Sequence, residues 1–89
     1  MSTAGLDVLR DNIFTALENG DESSARREIA RLCLHAPAEA AGLMTAFHIE
    51  MGRADEAFAA WQQLASLAPC DPYTIFLRAR IYLMEGERG

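Results

Sequence analysis

A glycine-to-proline interval occurs twice in this 89-residue chain. Gly20 and Pro37 are 17 positions apart, and so are Gly52 and Pro69. The two glycines are separated by 32 residues, and Gly86 follows the second after a further 34. A fixed period of this size is typical of stacked helical hairpins, because one hairpin cannot bury its apolar side without a neighbour. The spacing therefore predicts an all-α stack of helix hairpins.

Apolar residues recur at steps of three and four between these glycines and prolines, which predicts about five helices. The predicted helices cover residues 6–19, a segment through Ala25 that ends before Pro37, residues 38–51, residues 54–67 and a fifth segment. The fifth helix is expected to open with Asp71 as its N-cap and Pro72 at its first helical position. It carries apolar residues around too much of its circumference for a helix with one buried side.

The repeated spacing also resembles a known family. Tetratricopeptide repeats place a small residue, an aromatic residue four positions later and a proline eight positions after that. The matching residues are Ala57, Trp61 and Pro69 in one unit, Ala25, Ile29 and Pro37 in the unit before it, and Ala79, Tyr82 and Gly86 in the first-helix half of a third. This resemblance covers residues 6–86. It implies one domain over residues 1–89, a right-handed α-solenoid of units 6–37, 38–71 and 72–86, with the final hairpin incomplete.

Composition and charge disfavour several classes of function. The formal net charge of −5 disfavours nucleic acid, whose phosphates would be repelled. The N-terminal residues lack the pattern of a secretory signal, and no apolar run approaches the ~18 residues of a membrane span, so a cytoplasmic protein is expected. Two cysteines cannot frame a disulfide scaffold. Cys33 and Cys70 are interpreted as ordinary small hydrophobic or turn residues, with a redox role left open.

No catalytic constellation is visible in the chain. Phosphate loops, nucleophile elbows, CxxC pairs and HExxH motifs are all missing from the sequence. The only histidines are His35 and His48, and the resemblance assigns His48 to a packed position between the two helices of a hairpin. The expectation is therefore a protein without catalysis, cofactor or metal.

The resemblance implies a partner-binding groove lined by the first helix of each hairpin. Counting back from the turn glycines assigns to this groove Asp7, Arg10, Asp11, Phe14, Leu17, Glu18, Glu39, Gly42, Leu43, Ala46, Ile49, Glu50, Tyr73, Phe76, Leu77, Arg80, Leu83 and Met84. Most of the apolar members form a strip, and Gly42 would let a partner's backbone approach closely. Part of the strip is alternatively intramolecular core, with Leu43 and Leu77 most open to that interpretation. The chain has no lysine, so the carboxylate clamp of some family members is not expected.

These features predict a protein-binding module whose concave face sequesters an amphipathic helix of a partner. Small acidic proteins of this design resemble the tetratricopeptide-like needle-subunit chaperones of bacterial type III secretion. That resemblance implies a grip on the helix of the needle protein, helped by a second small helical co-chaperone. Gly86–Gly89 is predicted as the turn before a missing sixth helix. Two alternatives stay open: a homodimer through the bare fifth helix, or a fragment of a longer repeat scaffold.

Overall fold

The computed structural model describes residues 3–88, with side chains described for residues 5–86. These residues form five helices and no strand, namely α1 (Thr3–Glu18), α2 (Glu22–Cys33), α3 (Pro37–Glu50), α4 (Ala54–Leu67) and α5 (Pro72–Arg88). The predicted all-α class and the number of helices are confirmed. Predicted and observed boundaries agree most closely for α4, whose ends coincide.

The turns at Gly20 and Gly52 have the same geometry. Both glycines have a φ of 72°, in the left-handed region where glycine has no steric penalty. In each turn the glycine amide donates to the carbonyl three residues back, at 3.2 and 3.0 Å, and the next amide donates to the carbonyl five residues back, at 2.8 and 2.9 Å. This pairing is the Schellman motif. The repeat detected in the sequence is therefore two copies of one helix-ending turn.

The equally spaced prolines have different roles. Pro37 begins α3, whereas Pro69 lies in the turn between α4 and α5, and Pro72 begins the next helix. Asp71 caps that helix as predicted, since its Oδ1 accepts a hydrogen bond of 2.9 Å from the amide of Tyr73. The link before α5 has four residues and the link before α3 has three.

The turn predicted at Gly86 is wrong, because α5 continues through Gly86 to Arg88. Among the described residues, positive φ values occur only at Gly20 and Gly52. A glycine inside a helix costs about 1 kcal/mol relative to alanine, but ends it only where a left-handed residue closes the last turn. The last residue of the predicted turn, Gly89, lies outside the described part of the chain.

Each helix packs against the next one in the chain, and α3 also packs against α5. The Cα atoms extend over 43 × 30 × 16 Å, and the smallest extent accommodates two layers of helices about 10 Å apart. One layer contains α1, α3 and α5, with an ion pair between Arg10 and Glu39 joining the first two. The other layer contains α2 and α4, which flank a cavity above α3. Helix α3 is therefore the centre of the molecule.

Two clusters of apolar side chains hold the layers together. The first contains Leu9, Ile13, Ile29, Leu32 and Ala40 from α1, α2 and α3. The second contains Ala41, Ile49, Ala57, Leu64, Leu77 and Ile81 from α3, α4 and α5. Ala25 and Ala57, the small residues of the repeat pattern, have no exposed surface. Their size lets the two helices of each hairpin approach closely, which gives the pattern a physical cause.

Candidate functional site

Two adjoining cavities lie beside α1, α3 and the start of α5. The first has a volume of about 350 Å³ and is lined by Phe14, Ala16, Leu17, Gly20, Asp21, Glu22, Leu43, Ala46, Phe47, Glu50, Met51 and Tyr73. The second has a volume of about 380 Å³ and is lined by Arg10, Phe14, Ala38, Glu39, Leu43, Leu64, Asp71 and Tyr73. Phe14, Leu43 and Tyr73 line both cavities. We call this surface the α1–α3 groove and define it by Phe14, Leu17, Leu43, Ala46 and Tyr73.

All five residues that define the groove belong to the predicted set, and the structure brings them together from three helices. Phe14 is half exposed, whereas Leu17, Leu43 and Ala46 are partly buried. Leu43 therefore satisfies both interpretations left open by the sequence, because it packs against the first cluster and also lines the groove. Leu17, Leu43 and Ala46 form the apolar bottom of the groove, and the half-exposed Phe14 lies at its edge.

Tyr73 enters the groove because Gly42 leaves room for it. A Cβ at Gly42 would lie 3.0 Å from Cε2 of the Tyr73 ring, a distance shorter than ordinary side-chain contacts. The space predicted for a partner's backbone is therefore filled by the chain's own tyrosine. The ring stacks on Phe76 with centroids 6.3 Å apart, and burial raises the pKa of the Tyr73 hydroxyl while Arg80 opposes that shift. The groove wall consequently contains a packed aromatic ring.

Ile49, Leu77 and Met84 line neither cavity, and the burial of Ile49 and Leu77 contradicts their predicted contact with a partner. Ile49 is 6% exposed and Leu77 is 1% exposed, and both belong to the second apolar cluster. Met84 is partly buried and packs against the same cluster. The reason is that α5 packs onto the side of α3 that carries Ile49. Core packing was the alternative interpretation for Leu77.

Phe76 and Leu83 are exposed but line neither cavity. They lie on a different side of α5 from Leu77 and Ile81, which face the core. Arg80 also lies outside both cavities and pairs with Glu50 at 3.2 Å. The predicted strip therefore divides into two surfaces, and Phe14, Ile49, Phe76 and Leu83 do not form one continuous face.

Sequence reasoning missed residues that the turns contribute. Gly20, Asp21, Glu22 and Met51 line the first cavity although none belongs to the predicted positions of a first helix. The sequence could have indicated these residues, because the two turn glycines place them at the same end of the helices. Counting positions along helices alone could not include them.

A third and larger cavity of about 750 Å³ was also not predicted. It lies between α2 and α4 on the opposite layer, with Pro37, Ala40, Ala41 and Met44 of α3 among its lining residues. Its sides include the polar residues Gln62, Gln63 and Ser66, together with the exposed Cys33. Several of the residues that line this cavity are alanines, and larger side chains at these positions would reduce its volume. No further feature of the described residues marks this cavity as a site.

The rim of the α1–α3 groove is acidic. Asp21, Glu22, Glu39, Glu50 and Asp71 line the two cavities, and Arg10 is the only basic residue among the lining residues described. Arg10 is itself neutralised by Glu39, with three nitrogen-to-oxygen distances of 2.6 to 3.1 Å, and this hydrogen bonding raises the Arg10 pKa. Glu22 and Glu50 are also paired with arginines, so Asp21 and Asp71 are the rim carboxylates without an ion pair among the described residues.

Glu22 connects this rim to the centre of the molecule. Its Oε1 lies 3.0 Å from a guanidinium nitrogen of Arg53, and its Oε2 lies 2.9 Å from Nε of Arg26. Hydrogen bonds from Arg53 and then Arg26 lower the Glu22 pKa from about 4.5 to about 2. The carboxylate is consequently ionised throughout the physiological range and holds the start of α2 against the α3–α4 turn.

His48 is buried between α3 and α4, which confirms its predicted packed position. Its Nδ1 lies 3.4 Å from Oε2 of Glu56 but makes no hydrogen bond, and its ring contacts Phe47 edge-on at 5.3 Å. Burial lowers the His48 pKa, with Glu56 opposing the shift. The neutral imidazole is therefore the form that this packing favours.

The described residues contain no cluster of three or more histidines, cysteines or acids that could hold a metal ion. Cys33 and Cys70 are both free and exposed; Cys33 is the last residue of α2, and Cys70 lies in a turn, as expected. What the groove can do chemically is bind apolar side chains against an acidic rim.

Comparisons with known proteins give no name for this arrangement. No family model, curated protein or solved structure matches the chain. Within the described residues, none of the helices combines the length and apolar character needed to cross a membrane.

Proposed function

We propose that this protein is a non-catalytic binding module whose α1–α3 groove holds a helical segment of another protein. The observation that carries the proposal is the convergence of Phe14, Leu17, Leu43, Ala46 and Tyr73 from three helices around two adjoining cavities. An amphipathic helix projects apolar anchors at intervals of three and four residues, about 5–6 Å apart. Two neighbouring cavities that share one wall suit consecutive anchors of this kind.

The rim indicates the charge of the partner. Two carboxylates of the rim, Asp21 and Asp71, have no arginine partner among the described residues, whereas Glu22, Glu39 and Glu50 are each paired with an arginine. A partner helix with lysine or arginine beside its apolar stripe gains favourable electrostatics and is steered toward the groove. An acidic helix is repelled by the same rim. The proposed occupant is therefore a basic amphipathic helix.

A narrower form of the proposal is a chaperone for the needle subunit of a bacterial type III secretion system, acting in the cytoplasm with a small helical co-chaperone. The chain length of 89 residues, the net charge of −5 and the apolar groove support it. Co-expression with the neighbouring small gene products tests this form. A stable, equimolar complex that protects the partner from aggregation is the expected result, and no complex with any of them would remove this form.

The broader proposal is tested with a synthetic helical peptide that carries leucines at i, i+3, i+4 and i+7 and lysines on its other face. Isothermal titration is expected to detect binding of this peptide and much weaker binding of a peptide with the same composition in scrambled order. Phe14→Glu should weaken binding by at least about tenfold, because it removes an anchor contact and desolvates a carboxylate in an apolar groove.

The matched control is Val8→Glu, which places the same charge at another exposed apolar position of α1, outside both cavities. It should bind like the wild-type protein. Equal binding of the ordered and scrambled peptides, or an unchanged affinity of Phe14→Glu, would contradict the proposal.

A further inference from the structure

Helix α5 exposes an apolar face that the described residues do not cover. Ile75, Phe76, Tyr82 and Leu83 are each more than half exposed. Ala79 lies among them and is also exposed. Because successive helical residues rotate by about 100°, these positions turn away from the buried Leu77 and Ile81. We call this face the α5 outer stripe, formed by Ile75, Phe76, Ala79, Tyr82 and Leu83.

The stripe is symmetric about Ala79. An aliphatic residue lies four positions away on each side, as Ile75 and Leu83, and an aromatic residue lies three positions away on each side, as Phe76 and Tyr82. Two antiparallel helices related by a two-fold axis bring each position before the centre opposite the position equally far after it. Aliphatic then meets aliphatic and aromatic meets aromatic. The small central residue allows the two helix axes to approach closely.

The arginines of α5 flank this stripe and are engaged within the chain. The Arg78 guanidinium lies 4.6 Å from the centre of the Trp61 ring on α4 and donates a hydrogen bond to the hydroxyl of Tyr82, and Arg80 pairs with Glu50 of α3 at 3.2 Å. The five stripe side chains themselves carry no charge. A charged or polar surface would lose hydration there without compensation, whereas another uncharged apolar stripe would not.

We propose that a second copy of this chain covers the α5 outer stripe, antiparallel to the first and related by a two-fold axis at Ala79. Covering all of the exposed surface of the four large side chains removes roughly 1,000 Å² from water over both copies, which is near the lower limit of specific interfaces. The expected dimer is therefore weak and concentration-dependent. The antiparallel arrangement also sets the two helix dipoles in the favourable orientation.

The dimer goes beyond the proposed groove function and does not compete with it. None of the stripe residues lines either cavity of the α1–α3 groove. Each copy would keep its groove open, so the assembly would present two grooves. Both copies carry a net charge of −5, and added salt screens their repulsion. Association should therefore become tighter at higher ionic strength, unlike the binding of a basic peptide to the groove.

Sedimentation equilibrium across micromolar to submillimolar concentrations tests the interface. The wild-type protein should show a monomer–dimer equilibrium, and Ile75→Glu or Leu83→Glu should weaken it by at least about tenfold. Val8→Glu is the matched control, since it charges an exposed apolar position on α1, and it should leave dimerisation unchanged. Helical circular dichroism and binding of the groove peptide should survive in Leu83→Glu. A wild-type monomer at every concentration, or equal dissociation by Val8→Glu, would overturn the proposal.

Cysteine cross-linking tests the orientation in a Cys33→Ser, Cys70→Ser background. Ala79→Cys should form a disulfide-linked dimer under mild oxidation, because a residue on the two-fold axis meets its own copy. Leu83→Cys should not, since its counterpart in the antiparallel arrangement lies about 12 Å further along the helix. Cross-linking of both variants would indicate parallel helices and overturn the arrangement, and cross-linking of neither would exclude this face as the interface.

Discussion

Helices α1 and α5 occupy the two ends of the same layer and have nearly equal lengths of 16 and 17 residues. Their inner faces are alike, because each inserts two large aliphatic side chains into the core, Leu9 and Ile13 from α1 and Leu77 and Ile81 from α5. Their outer faces differ. Asp11, Asn12 and Thr15 are exposed on α1, where the exposed large apolar side chains are Val8 and the groove residue Phe14, whereas the outer side of α5 is the apolar stripe.

The comparison shows that two properties of a helix depend on different residues. The inner residues decide whether the helix packs against the core, and the outer residues decide whether another molecule binds to its exposed side. The exposed side of α5 is apolar over five neighbouring positions and that of α1 is mostly polar, so we expect association to occur on α5. The predictions below test each half of this comparison.

The largest expected effect is a loss of stability when either inner face is truncated. Ile13→Ala and Leu77→Ala each remove a fully buried side chain and should lower the free energy of unfolding by about 3 kcal/mol. Urea denaturation followed by circular dichroism measures this change. Val8→Ala, on the exposed side of α1, should change it by less than about 0.5 kcal/mol. A much smaller loss at one of the two buried sites would mean that its helix is not docked in solution.

A smaller effect is expected from the polar contact that fixes the start of α5. Trp61 Nε1–H donates a hydrogen bond of 2.8 Å to the backbone carbonyl of Thr74, and Thr74 Oγ1–H donates one of 2.7 Å to the carbonyl of Ala68. Trp61→Phe leaves the first carbonyl without its donor and should cost about 1 kcal/mol. Hydrogen exchange should become faster in α5 and stay unchanged in α1. Equal acceleration in both helices would show that the bond stabilises the whole stack and not the α5 end.

Sequence reasoning was most successful where local chemistry decides the structure. The turn glycines, the Asp71 cap and the small residues Ala25 and Ala57 each act through contacts set by a few neighbouring positions. It was less successful at Gly86, because glycine permits a helix-ending turn but does not require one. The spacing therefore predicted the hairpins correctly and failed where the next hairpin would have begun.

The candidate site shows the same limit. Register assigns Leu43 and Ile49 to the first helix of one hairpin, but only the packing of α5 decides which of them stays accessible. Gly42 and Tyr73 illustrate the cause, since the glycine accommodates a ring that begins 31 positions later in the chain. A contact of this kind depends on the relative placement of two helices. Periodicity within one helix contains no information about it.

Acid should weaken the α1–α2 end before it weakens the α5 end. The pKa of Glu22 is about 2 in the folded protein and near 4.5 otherwise, so its contribution to stability is complete above pH 4.5 and is lost as pH falls toward 2. Helix α5 is held mainly by Leu77, Ile81 and Trp61, which do not titrate in this range. The free energy of unfolding should fall as the pH drops from about 4.5 toward about 2, and it should fall less in Glu22→Gln.

Hydrogen exchange at the lower pH locates this effect along the chain. Protection should decrease at the start of α2 while α5 retains its protection, because Glu22 bonds to Arg53 in the α3–α4 turn and makes no contact with α5. Loss of protection in α5 before α2 would contradict the interpretation that ionic contacts hold the start of α2 and apolar contacts hold α5.

The smallest effect on stability, and the most direct test of the comparison, is expected from making the outer face of α1 apolar. Asp11→Leu with Thr15→Leu would extend Val8 into an apolar stripe at exposed positions, and the free energy of unfolding should change by less than about 0.5 kcal/mol. In the Leu83→Glu background, the altered protein should nevertheless associate in sedimentation experiments, whereas an Asp11→Asn, Thr15→Gln control should remain monomeric. If the grafted stripe produces no association, apolar character alone is insufficient. The symmetric arrangement about Ala79 would then be the property that distinguishes α5 from α1.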